Sequence, residues 1–279
     1  MTIDQKPGLY CASYGDGNPR TIVFLHGGGA AGWMWREQVK AFSPDYHLLV
    51  PDLPGQGRSM DVGAYSTERA ADLVVELIRA QAHGGVAHLV GLSEGAQVSV
   101  ALLSRHPEVV NHALVSSAIL RPMPGSGLYT PNLMAASYRW FIAPLKNNDW
   151  WIRLNMKYSA GIPEEYYPDF KRSFQEATEA STADMLYCGM SYRMPDGLEK
   201  ADVPVLVAVG KHEYAQMKQS GRDLLGVLPR ARGVLVSVGP KSSLRREHNW
   251  AMTAPDLFNA ALRAWVEDEP LPAALTPLV

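Results

Sequence analysis

The stretch Gly91-Leu92-Ser93-Glu94-Gly95 places a serine between glycines at minus two and plus two. An apolar run, Ala87 to Leu92, leads into it, and a helical pattern from Gln97 to about Arg105 follows. That order is the nucleophile-elbow pattern, in which a tight, strained turn between strand and helix lifts the serine hydroxyl clear of the sheet. The two glycines are a steric requirement: a Cβ at 91 or 95 is expected to collide with the neighbouring strand or helix. A serine hydroxyl becomes a useful nucleophile only when a neighbouring base takes its proton. The base needs an orienting carboxylate, and the oxygen that turns negative on attack needs N–H donors.

The elements that must position such groups read as an α/β rhythm. Residues 8 to 14 alternate weakly, as an edge strand would, before the turn Gly15-Asp16-Gly17-Asn18-Pro19. Thr21 to Leu25 is a continuous apolar run that suits a strand covered on both faces, as in a parallel sheet. It ends in His26-Gly27-Gly28-Gly29-Ala30-Ala31-Gly32, which no regular element tolerates. A short strand from His47 to Val50 runs into Asp52-Leu53-Pro54-Gly55-Gln56-Gly57-Arg58-Ser59, and Thr67 is placed to cap a helix with a 3.6-residue apolar period. Ala113 to Ala118, Val203 to Gly210 and Gly233 to Val238 read as further strands, with helices near 217–227 and 255–266. The proline-bearing tail after Asp268 reads as loose. Residues 121–198 differ in texture: seven of twelve tyrosines and six of eleven methionines fall there, with helical spacing and no buried strand.

The succession of a strand, His26-Gly27-Gly28-Gly29, Asp52-x-x-Gly55-x-Gly57-x-Ser59, the Gly91 to Gly95 elbow and a late His248 resembles the α/β-hydrolase superfamily. The resemblance spans nearly the whole chain outside residues 121–198. It implies an α/β-hydrolase fold: a mostly parallel central sheet with helices on both faces and an inserted helical cap. The implied division is a core of 1–120 and 199–279 with a cap of 121–198.

In that family the triad follows the order Ser, Asp or Glu, His along the chain. The resemblance makes Ser93 the nucleophile and His248, in the loop between the last long strand and the last helix, the base. The acid's usual position follows the strand ending at Gly210, where this chain has Gly210-Lys211-His212-Glu213, so Glu213 is the implied orienter. The alternative position after the preceding strand is empty, since Ser116 to Asn148 contains no carboxylate. Glu247 is a weaker rival, because neighbours in sequence seldom point the same way. His26, His47, His106 and His212 read as structural or surface residues. The implied oxyanion donors are the N–H of Glu94 and that of Gly28, with Gly29 close behind. The Glu94 side chain is unusual there, since a negative charge beside the elbow favours a charged base and disfavours an anionic substrate. Trp33, Trp140 and Trp250 are expected as substrate-pocket walls, and the Asp52 loop as a structural support.

The composition removes other classes. In 279 residues, 47% are hydrophobic and 19% charged, which suits a chain that buries a sizeable core. A net charge of −2 leaves no basic footprint, so neither nucleic acid nor an anionic membrane is an expected partner. No apolar tract reaches the length of a membrane span, and Met1 to Pro7 lacks an apolar leader core, so a cytoplasmic location is expected. Cys11 and Cys188 fit free thiols better than a disulfide or metal site, and the glycine loop lacks nucleotide-binding spacing, so no cofactor or metal is expected. Nothing indicates an oligomer. The reading is hydrolysis of an ester or lactone with a bulky apolar portion, through an acyl-enzyme. Carbon–carbon bond hydrolysis on the same scaffold ranks second, because Leu92 stands where that subfamily often has Asn. A ligand-binding or non-hydrolytic biosynthetic protein that keeps the triad is the third reading. Ser93 argues against the relatives that use an aspartate nucleophile, and the residue after it argues against proline iminopeptidases.

Overall fold

The computed structural model describes residues 8–123 and 125–279, so the reading of Met1 to Pro7 lies outside the described residues. Its strands are β1 (Cys11–Tyr14), β2 (Thr21–Leu25), β3 (His47–Pro51), β4 (Ala87–Leu92), β5 (Val110–Ser116), β6 (Val205–Gly210), β7 (Ala231–Val236) and β8 (Thr276–Pro277). They form one sheet in the order β1-β3-β2-β4-β5-β6-β7-β8. The six inner strands are parallel, and β1 and β8 close the two edges antiparallel. The unbroken apolar runs are explained by helices on both faces. Along β2, Val23 and Leu25 join one core and Ile22 and Phe24 the other.

The first of those cores packs under α2 (Thr67–Gln81), α3 (Glu94–Arg105) and α8 (Ala215–Val227), and the second under α1 (Arg36–Phe42) and α11 (Pro255–Val266). Between β5 and β6 the chain forms α4 (Pro131–Ser137), α5 (Asp149–Asn155), α6 (Tyr167–Glu176) and α7 (Glu179–Ser191), with no strand among the described residues. After β7 come the short α9 (Leu244–His248) and α10 (Trp250–Thr253).

Two local expectations change. The cap of α2 is Ser66 rather than Thr67: the Ser66 hydroxyl accepts from the Arg69 N–H at 3.1 Å, which moves the helix start by one residue. The tail is docked rather than loose. Leu275 and Leu278 are buried, and the Leu278 N–H donates to the Gly233 carbonyl at 3.0 Å, so two apolar side chains anchor an edge strand that itself contains Pro277.

Candidate active site

Ser93 lies between β4 and α3 with φ 56 and ψ −111, a left-handed conformation rare for a residue with a side chain. Such strain costs about 1–3 kcal/mol and persists only where the surroundings impose it. They do so here. The Ser93 N–H donates to the Ser116 carbonyl at 2.9 Å, and the Ser93 carbonyl accepts from the N–H groups of Ala96 and Gln97. A Cβ on Gly91 would fall on the Gly95 carbonyl, and one on Gly95 would fall on the carbonyl of Leu25. The elbow therefore needs both glycines for the reason its spacing indicates.

Glu213, in the loop after β6, and His248, the last residue of α9, are brought together. His248 Nδ1 donates to Glu213 Oε1 at 2.6 Å, and Glu213 Oε2 accepts from the Gly210 N–H at 2.8 Å. A buried carboxylate accepting from Nδ1 puts the proton on that nitrogen and leaves Nε2 with its lone pair. Glu247 is engaged elsewhere: Oε1 and Oε2 accept from the ring Nδ1 and the backbone N–H of His212, at 2.8 and 2.6 Å. Ser93 Oγ and His248 Nε2 make no hydrogen bond among the described residues. They follow parallel strands at the same end of the sheet. Ser116 links their neighbourhoods, since it pairs with Leu92 across the sheet and its hydroxyl accepts from the Trp250 indole N–H at 2.9 Å.

The backbone donors divide clearly. The Gly27 N–H is turned to the Met34 sulfur and the Gly29 N–H donates to Gln56 Oε1 at 2.7 Å, so Gly29 is committed and does not face the elbow as a free donor. The N–H groups of Gly28 and Glu94 carry no hydrogen bond among the described residues. The Glu94 side chain is 5% exposed, and its Oε2 accepts from Gln56 Nε2 at 2.6 Å while Oε1 has no hydrogen-bond partner. Burial pushes this carboxyl up to about 7, against the lowering effect of the Gln56 amide and the Tyr65 hydroxyl. His26 is structural: Nε2 accepts from the Leu53 N–H at 2.9 Å, and burial holds its pKa down. Asp52 ties its own loop to the glycine loop, accepting from the N–H groups of Gly32 and Arg58 at 2.7 and 2.8 Å.

Ser93, Gly28 and Glu94 open onto a cavity of about 210 Å³ whose other walls are Gln97, Ile119 and, from α7, Met185, Leu186, Gly189 and Met190. The expected tryptophan walls are not there. Trp250 is fully buried against Phe258, with ring centroids 4.7 Å apart, because an indole whose N–H is satisfied inside packs as core. Trp140 is 77% exposed on the surface of the insertion. The Trp33 N–H donates to Ser173 Oγ at 2.9 Å, and its ring lines a separate groove of about 850 Å³ between α1, β1 and α6. The methionines of α7 take the wall role instead. Their signal was the methionine enrichment of 121–198, whereas Gln56 carried none.

The alpha/beta hydrolase family model matches residues 22–261. An AB hydrolase superfamily protein of Gibberella zeae is 36% identical over 123 residues, a match covering 43% of this chain and 41% of that protein's length. The (E)-2-((N-methylformamido)methylene)succinate hydrolase of Acinetobacter baylyi is 22% identical, over 92% of this chain and 93% of its own. Among solved structures, the enol-lactonase from Burkholderia xenovorans LB400 superposes with a TM-score of 0.71 at 21% identity, covering 93% of this chain and 96% of that one.

Proposed function

Because the chain belongs to the alpha/beta hydrolase family, we propose that this hydrolase cleaves a carboxylic ester or lactone through an acyl-enzyme on Ser93. The observation that carries the reading is the 2.6 Å hydrogen bond from His248 to the buried Glu213, which leaves Nε2 basic at the rim where the strained Ser93 stands. Ser93 Oγ attacks the acyl carbon as its proton passes to His248 Nε2, and Glu213 stabilises the imidazolium. The substrate oxygen becomes an oxyanion held by the N–H groups of Gly28 and Glu94. Collapse expels the alcohol, which takes the proton from His248. Water then attacks the acyl-enzyme as His248 takes its proton, and collapse breaks the bond to Ser93 Oγ, which takes that proton back as the carboxylic acid leaves.

The insertion between β5 and β6 acts in this reading as a cap whose helix α7 roofs the acyl cavity. A space of about 210 Å³ with four apolar side chains suits a compact, uncharged acyl group, so the bulk of a large substrate lies on the alcohol side. The A. baylyi relative and the B. xenovorans neighbour, a succinate-derivative hydrolase and an enol-lactonase by name, support hydrolysis as the reaction class; the uncharged acyl group is argued from the cavity alone. The test is a fluorophosphonate probe on wild type and Ser93→Ala, followed by p-nitrophenyl esters of increasing acyl length and simple lactones. Labelling and turnover that depend on Ser93 are expected; labelling that survives Ser93→Ala removes the assignment.

A further inference from the structure

One side chain spans the gap between the two loops that carry the free N–H donors. Gln56, in the loop after β3, accepts from the Gly29 N–H through Oε1 at 2.7 Å and donates through Nε2 to Glu94 Oε2 at 2.6 Å. Its partners lie 27 and 38 positions away in sequence. Gly29 adjoins Gly28, and Glu94 supplies the other donor itself, so the buried Gln56 amide is tied to both halves of the oxyanion site. The Glu94 carboxyl also lies near the first half: a Cβ on Gly28 would stand in ordinary contact, 3.4 Å, with Glu94 Oε2. We propose that Gln56 is a positioning residue that holds the Gly28 and Glu94 N–H groups at a fixed separation, and that the Glu94 carboxyl supports turnover only while it is uncharged. The inference rests on the serine-hydrolase reading above and adds a regulatory group to that site.

A carboxylate held by Gln56 within contact reach of the Gly28 position lies near the N–H groups that receive the negative oxygen, and like charges repel in a dry environment. Among the described residues no lysine or arginine acts on the Glu94 carboxyl. Tyr65, before α2, and Cys188, on α7, both have their pKa values raised by burial, the thiol to about 11, so both are neutral near pH 7. His26, under the glycine loop, is held neutral by burial, and Asp52, on the Gln56 loop, is occupied with the N–H groups of Gly32 and Arg58. Gln97, one turn along α3, gives its amide N–H groups to the carbonyls of Ile119 and Gly189. Burial raises the Glu94 pKa to about 7 against the lowering effect of the Gln56 amide and the Tyr65 hydroxyl, so both forms are populated near neutrality.

The experiment is the pH dependence of kcat/KM on a short-chain p-nitrophenyl ester for the full chain, in wild type, Glu94→Gln, Gln56→Leu and Ser93→Ala, with circular dichroism on each. Wild type is expected to lose turnover as pH rises through about 7 and Glu94 ionises. Glu94→Gln keeps an acceptor for Gln56 but cannot ionise, so its falling limb disappears and alkaline turnover rises roughly tenfold. Gln56→Leu breaks the bridge and lowers kcat roughly 10- to 100-fold with little change in KM. A folded Gln56→Leu variant with wild-type kcat, or a falling limb that persists in Glu94→Gln, overturns the inference while leaving the nucleophile assignment standing. If Gln56→Leu does not fold, the Glu94→Gln profile decides alone. Turnover that is insensitive to Ser93→Ala overturns the hydrolase reading and the inference with it.

Discussion

His212 Nδ1 lies 2.8 Å from Glu247 Oε1, and the next residue along each loop makes the reciprocal pair, His248 with Glu213 at 2.6 Å. Two adjacent residues after β6 are thus cross-linked to two adjacent residues in α9 by opposite combinations of imidazole and carboxylate. Glu247 is fully buried and His212 half exposed, so the carboxylate is the costlier half to remove. Glu247→Ala is expected to lose about 1–3 kcal/mol of stability and to lower kcat at least roughly tenfold, because the loop carrying Glu213 loses its second anchor. Thermal unfolding and ester kinetics on the same preparation check this. A folded variant with unchanged kcat would mean that the Gly210 N–H alone holds Glu213.

Removing the inner pair should be far more damaging to turnover than to folding. Glu213→Gln leaves His248 without a carboxylate to fix its tautomer, and kcat is expected to fall by about 10³–10⁴. His248→Ala should fall at least as far. Stopped ester assays, with circular dichroism to verify the fold, read this directly; a loss under tenfold in either variant would place the base elsewhere.

Met185 roofs the cavity, with its sulfur 3.2 Å from where a Gly28 Cβ would stand. Met185→Ala is expected to enlarge the cavity and move the optimum of an ester series towards longer acyl chains, with a change of about 10-fold in relative kcat/KM. A parallel loss across the whole series would instead mark Met185 as packing.

His88, on β4, is buried with both ring nitrogens lacking hydrogen-bond partners. Burial first, and then the neighbouring His112 and Arg20, lower its pKa from 6.5 to about 4. On acidification the unfolded chain takes up the proton first, so this stability is intact above about pH 6.5 and is lost progressively as pH falls towards 4. The loss reaches at most about 3 kcal/mol. His88→Leu should flatten that part of the stability curve in urea titrations at a series of pH values; an unchanged slope would refute the assignment.

The parallel strands, the elbow and its glycines were legible because they are local. A two-sided buried strand must be apolar throughout, and a turn that forces Ser93 to φ 56 must omit side chains at 91 and 95. Helix α11 was legible to its ends, Pro255 and Val266, since a proline opens it and its apolar face keeps the helical period. Trp250 was not legible as core, because an indole reads the same in a pocket wall as under a sheet. What decides is whether a buried acceptor such as Ser116 Oγ meets its N–H.

By itself, then, the sequence determined the scaffold and the serine at the strand end, and narrowed the carboxylate and the imidazole to a few candidates. Only the tertiary structure decided which glutamate meets which histidine, that Gly29 is spent on Gln56, and that Glu94 is buried beside Gly28. Strand and turn signals arise within a few residues, where sterics and periodicity act. The pairings join residues 27 to 38 positions apart, and their partners are selected by which loops the folded sheet holds side by side.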